Sequence, residues 1–260
     1  MTARVFLLVF PGSLFMPPVV EHVAIAGQFE LVGVAGVVAR KRGSASAWLR
    51  DQISYWGWWG SGWIIAATIA RRLPAILRFP HVFRRLSSVA DTCHALDIPY
   101  RPVADPNDPA FVAELRALGV DVIVCFQQRI FKRELLDAPR IGCLNVHTGI
   151  LPGYRGFKPV FWMQSRGEPE MGVTIHAMAE SIDTGRIVVQ RRWKRRPRSS
   201  VLENQFWSYR CAAHCIVEAV EKVAKVAPVE LAHIPDDSPY FKAPTREQRD
   251  RAVAGGTRLL

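Results

Sequence analysis

The sequence predicts an α/β fold: a Rossmann-like, mostly parallel sheet with helices on its faces and a short C-terminal helical extension. Continuous apolar runs of strand length stand at residues 5–10, 30–39 and 120–125, as strands buried on both faces do. Segments with helical signals alternate with them, the β-α-β rhythm of a parallel sheet with right-handed crossovers. At 260 residues, the chain is long enough for one large core with a small appendage. The expected division is a catalytic α/β domain at 1–198, with an aromatic and basic insert at about 48–86, then a helix and tail at 199–260.

The first strand ends at Pro11-Gly12-Ser13, a turn leading into a helix expected over 18–28. Gly12 alone does not make a dinucleotide fingerprint. Met1-Thr-Ala-Arg4 precedes too few apolar residues for a signal-peptide core, so the expected location is cytoplasmic. The five cysteines are odd in number and lie within apolar patterns, which suits reduced core thiols. Cys211, His214 and Cys215 have a metal-like spacing, but i, i+4 positions on a predicted helix explain them better, and no metal is expected.

The insert breaks the rhythm. Residues 52–70 carry no formal charge, and Tyr55-Trp-Gly-Trp-Trp-Gly-Ser-Gly-Trp63 is followed by Arg71, Arg72, Arg78, Arg84 and Arg85. Its length approaches a membrane span, yet its glycines and clustered indoles favour an inserted helical pair packed on the domain. A membrane-surface or lipid-facing patch ranks second, so membrane association is part of the expectation, and a true span ranks last.

Beyond the insert, 89–96 reads as a helix, 98–103 as an edge strand limited by its prolines, and 108–118 as a helix with Asp105 and Asn107 available as caps. The strand at 120–125 runs into Phe126-Gln-Gln-Arg-Ile-Phe131 at the carboxyl edge of the sheet, where open α/β sheets bind ligands. Next comes Cys143-Leu-Asn-Val-His147. Asn145 and His147 are two apart at a strand end and share a face. Residues 158–166 are expected as a helix and 172–178 as a strand. Asp183 follows at Ser181-Ile-Asp-Thr-Gly185 and can reach the imidazole if the two strands are neighbours. A strand starting at Arg186 enters a run with six cations in residues 191–198, either a solvated loop or a phosphate site. A helix over 201–225, capped by Ser199 or Ser200, completes the core.

Asn145, His147 and Asp183 suit acyl transfer. An amide and an imidazolium can hydrogen-bond an oxyanion, and a carboxylate can hold the imidazole charged. No serine or cysteine is paired with His147, so direct transfer to an incoming nucleophile is expected.

These residues resemble the family of formyltransferases that use 10-formyltetrahydrofolate. The resemblance rests on Asn145-Val-His147, Leu151-Pro152 with Arg155-Gly156, Gly172-Val-Thr-Ile-His176 and Asp183-Thr-Gly185, and runs from about residue 120 to 190. It implies the formyltransferase fold, N-formyltransferase activity, and Asn145, His147 and Asp183 as catalytic residues. It also implies a folate ring held by the backbone at 128–131 and 179–183, with Val124, Gln128, Arg129, Ile130, Phe131, Ala179, Ser181 and Ile182 as donor-binding positions, the ring being walled by Val124, Ile130 and Phe131. Thr148-Gly149-Ile150 departs from the usual Leu-Pro-Ser context. By exclusion, the expected acceptor is an amino sugar on a nucleotide or other phosphate-bearing carrier, reached with possible lipid-carrier contact through residues 53–85. Methionyl-tRNA and glycinamide ribonucleotide remain alternatives, with tRNA less favoured despite the +11 charge, and a homodimer is allowed. A non-catalytic folate-binding or membrane-associated module is the alternative of another class.

Overall fold

A computed structural model describes residues 2–38, 45–77, 87–126, 130–179, 182–225, 234–235 and 237–260. Its seven-stranded sheet has the order β3-β2-β1-β4-β5-β7-β8. The strands are β1 (Arg4–Val9), β2 (Glu30–Val37), β3 (Tyr100–Val103), β4 (Val122–Phe126), β5 (Gly142–His147), β7 (Glu170–Ala177) and β8 (Ile187–Lys194). The first five run parallel to one another, whereas β7 is antiparallel to β5 and to β8. The order reverses between β1 and β4, which makes the carboxyl edge of the central strands a topological switch point. Two short strands, β6 (Arg155–Gly156) and β9 (Tyr240–Phe241), form a separate parallel pair.

Strand alternation divides the core. Val5, Leu7, Val122, Val124, Leu144, Val146, Val173 and Ile175 share one cluster with residues of helix α1 (Met16–Ala26), helix α3 (Val89–Ala95) and helix α7 (Val201–Lys225). Phe6, Leu8, Ile123, Cys125 and Cys143 form the other, under helix α4 (Pro109–Ala117) and helix α5 (Arg133–Leu136). A third cluster gathers Tyr55, Tyr154, Phe161, Met163, Met171 and Val201 beneath helix α6 (Pro159–Ser165).

The expected fold class holds, with small shifts. The first helix begins at Met16, its prolines in the first turn where a missing N–H costs nothing. The edge strand keeps its place and shortens to Tyr100–Val103. Asp108 caps α4 by accepting from the Ala110 N–H at 2.8 Å. The cationic run is not simply a loop: β8 extends through Lys194, Arg191 pairs with Glu218 at 2.5 Å, Arg195 donates to the Glu168 carbonyl at 2.9 Å, and Arg196 lies over Trp207. The five cysteines are free thiols.

In the insert, helix α2 (Ala45–Ile76) is interrupted at Gly57, whose φ of 73° and ψ of 177° split it into two helical stretches. Tyr55 ties it to the domain through Phe161, and Arg249, on helix α8 (Arg246–Ala254), donates to the Ile53 and Ser54 carbonyls at 2.8 and 2.7 Å. No helix among the described residues is long and apolar enough to cross a membrane.

Candidate active site

The site begins with the pleat. On β5, Leu144 and Val146 face the first core cluster, so Cys143, Asn145 and His147 face the opposite side. On β7, Val173 and Ile175 do the same and turn Thr174 and His176 to that side. The antiparallel register sets Asn145 opposite His176 and His147 opposite Thr174. Two polar pairs therefore meet at the carboxyl end of β5.

Asp183 enters from the turn after β7. Its φ of 52° is a left-handed conformation that aspartate tolerates better than most residues. Gly185 is required two residues later, because a Cβ there would collide with the Ala177 carbonyl. Arg155 holds the turn from the other side, donating to the Ile182 carbonyl at 2.9 and 3.3 Å.

The carboxylate is the centre of the cluster. Oδ1 accepts from Asn145 Nδ2 at 3.2 Å and lies 3.4 Å from His176 Nε2. Oδ2 accepts from the Gly156 N–H at 2.8 Å and lies 3.5 Å from His147 Nδ1. His176 donates from Nδ1 to the Ala177 carbonyl at 2.9 Å, so its neutral form can accept from Asn145 Nδ2 at 3.1 Å. His147 donates from Nε2 to the Tyr154 carbonyl at 2.6 Å, which leaves Nδ1 as the site that gains or loses a proton. Its neighbour Gly149 cannot carry a side chain, because a Cβ would press on the His147 ring and on Pro159. The departure at Thr148-Gly149-Ile150 thus makes room for the imidazole.

Burial divides the charges. His147, only 5% exposed, is pushed below the ordinary histidine range by desolvation and by His176, and Asp183 and the Tyr154 carbonyl only partly offset this. For Asp183 burial works upward, but His147, His176 and the Gly156 N–H outweigh it and hold the carboxyl well below the carboxylate range. Burial thus favours a neutral imidazole at His147, against the charged imidazole expected from sequence.

The predicted donor positions separate. Gln128, Arg129 and Ser181 lie outside the described residues. Phe131 is buried in the second cluster with Leu135 and Cys143, whereas Val124 is buried in the first. Val124, like the other even-numbered positions of β4, points to the sheet face opposite Asn145. Ile130 and Ile182 are 67% and 40% exposed, free to contact a ligand. Ala179 lines a cleft of about 660 Å³ whose wall includes Leu136, Cys143, Leu144 and Met178. Its lining includes Ile141 and Gly142 at the start of β5 and none of Asn145, His147, His176 and Asp183; Leu144, which does line it, pairs with Ala177 one register step before the Asn145–His176 pair. A cavity of about 570 Å³ between His22, Arg191, His214 and Lys222 contains none of these residues.

Sequence reasoning named three of the four clustered side chains and missed His176 as a member. The same two-residue alternation that singled out Asn145 and His147 marks Thr174 and His176. Among the described residues no group of histidine, cysteine or acidic side chains is arranged to hold a metal ion.

The formyl transferase family model matches residues 85–203, the span that contains the whole cluster. Residues 85–203 are thus similar to the formyl transferase family. A methionyl-tRNA formyltransferase of Synechococcus sp. (strain JA-3-3Ab) is 38% identical over 155 residues, which are 57% of this chain and 47% of that protein. The chain spans about half the length of the curated relatives it matches. Its fold is that of the glycinamide ribonucleotide transformylase 1 of Symbiobacterium toebii (TM-score 0.61, 13% identity, 90% of this chain and 93% of that one). A Mycobacterium tuberculosis protein provisionally designated a sugar N-formyltransferase shares the fold with a TM-score of 0.53 and 15% identity over 93% of this chain and 75% of that one.

Proposed function

We propose that this chain transfers the formyl group of 10-formyltetrahydrofolate to a primary amine, most specifically an amino sugar on a nucleotide or other phosphate-bearing carrier. The observation that carries the reading is the burial of an amide, two imidazoles and a carboxylate within hydrogen-bonding reach of one another at a sheet's carboxyl edge.

The acceptor nitrogen attacks the formyl carbon and a C–N bond forms. The carbonyl electron pair moves to oxygen. Asn145, half-buried at the strand end, redirects toward that oxyanion one of the two amide hydrogens it gives at rest to Asp183 and His176. His147 takes the amine's surplus proton on Nδ1 and becomes an imidazolium, which Asp183 stabilises from 3.5 Å. Collapse of the intermediate breaks the bond to folate N10, which leaves with the proton, and His147 returns to neutral. In this reading Ile182, beside Asp183 and 40% exposed, contacts the donor's ring from the turn.

The net charge of +11 favours a phosphate-bearing acceptor. A second reading, methionyl-tRNA as acceptor, is favoured by the names of the sequence relatives. The test is incubation with 10-formyltetrahydrofolate and, separately, nucleotide-linked 4-amino sugars, glycinamide ribonucleotide and methionyl-tRNA. Formylated amino sugar with stoichiometric folate release supports the first reading, and formylated methionyl-tRNA alone assigns the second. Formate release without any amine indicates donor hydrolysis, and no folate release with any acceptor overturns transfer.

A further inference from the structure

Helix α2 presents its apolar residues to the outside. Beyond the break at Gly57, Trp58, Trp59, Trp63, Ile69, Leu73 and Leu77 are all exposed, Trp59 to 92% and Trp58 to 76%. At about 100° per residue these six fall within an arc of about 140°, and at 1.5 Å per residue they extend about 29 Å. The helix's hydroxyls lie on the opposite side and close on their own backbone: Ser61 Oγ donates to the Gly57 carbonyl and Thr68 Oγ1 to the Ile64 carbonyl, each at 2.7 Å. The outward face is therefore apolar, and wider than the narrow seam of a two-stranded coiled coil.

The sequence around the stripe carries charge of one sign. No aspartate or glutamate occurs from residue 52 to residue 90, a stretch that includes five arginines, at 71, 72, 78, 84 and 85. Arg72 is exposed at the end of the stripe. Indoles prefer the boundary between headgroups and acyl chains, and neighbouring arginines bind anionic headgroups. No described helix meets the requirement for a span, so the helix would lie in the plane of the interface.

We propose that the outward face of α2 docks the protein on the surface of an anionic lipid bilayer. The inference stands apart from formyl transfer, because its measurement uses no folate and no acceptor. The test is sedimentation of the full chain with vesicles of phosphatidylcholine, alone or mixed with phosphatidylglycerol. Binding is expected to the mixed vesicles, weakened about tenfold or more by Trp59→Ser with Trp63→Ser, and weakened at least about fivefold by Arg72→Gln or by added salt. Both indoles are exposed, so the double variant should keep its far-ultraviolet dichroism. If it misfolds, quenching of wild-type tryptophan fluorescence by bromine-labelled acyl chains in the mixed vesicles replaces it. Absence of wild-type sedimentation and quenching overturns the proposal, as does binding that the folded double variant retains in full. A concentration-dependent dimer dispersed by that variant, without vesicle binding, assigns the face to a second copy of the chain and also overturns it.

Discussion

At the level of single residues, the separation of charge in the cluster makes testable demands. His147→Ala removes the proton acceptor and is expected to lower turnover by about a hundredfold or more, with little change in the unfolding midpoint; turnover equal to wild type excludes the mechanism. Asp183→Asn keeps a residue that tolerates the left-handed turn but loses the stabilising charge, and should produce a similar drop in kcat with a smaller change in KM. Stability should depend on pH in two windows. A histidine held below 6.5 in the folded state binds its proton more readily once unfolded, so acidification through about 6.5 favours unfolding. Asp183, held below 3.8, stabilises the fold above that value and loses this contribution as the pH falls further. Urea titrations should show the midpoint falling in both windows. His147→Asn should flatten the upper one, leaving the share of His22, whose pKa is lowered by burial and by His214.

Among the elements, the turn after β7 is the most tightly constrained. Gly185→Ala places a Cβ against the Ala177 carbonyl, a backbone atom that cannot rotate away, and is expected to cost about 1–3 kcal/mol while displacing Asp183. Calorimetry and turnover should fall together; an active, equally stable variant would show that the turn can open. Much of this was readable in advance because it is local. Two-residue spacing put Asn145 and His147 on one face, and the resemblance joined Asp183-Thr-Gly185 to them. On β4 the same alternation sets the odd positions Ile123 and Cys125 on the face of Asn145, and Val124, which the resemblance alone brought to the donor, on the other. The outward stripe of α2 was less readable, since periodicity marks an apolar face without saying whether protein covers it.

For the whole molecule, sequence rhythm anticipated the mostly parallel sheet because buried strands read as continuous apolar runs. It did not anticipate the β6–β9 pair, which joins residues more than eighty positions apart and carries no local signature. Yet this pair touches the chemistry: Gly156 pairs with Phe241 in β9 while its N–H donates to Asp183, and Arg155, which holds the Ile182 carbonyl, also reaches the Pro235 and Ser238 carbonyls at 3.3 Å. Deleting residues 234–260 should therefore abolish turnover even if the sheet still forms, as dichroism would report. During synthesis, a nascent chain whose sheet has already assembled would stay catalytically silent until the segment around Tyr240 leaves the ribosome.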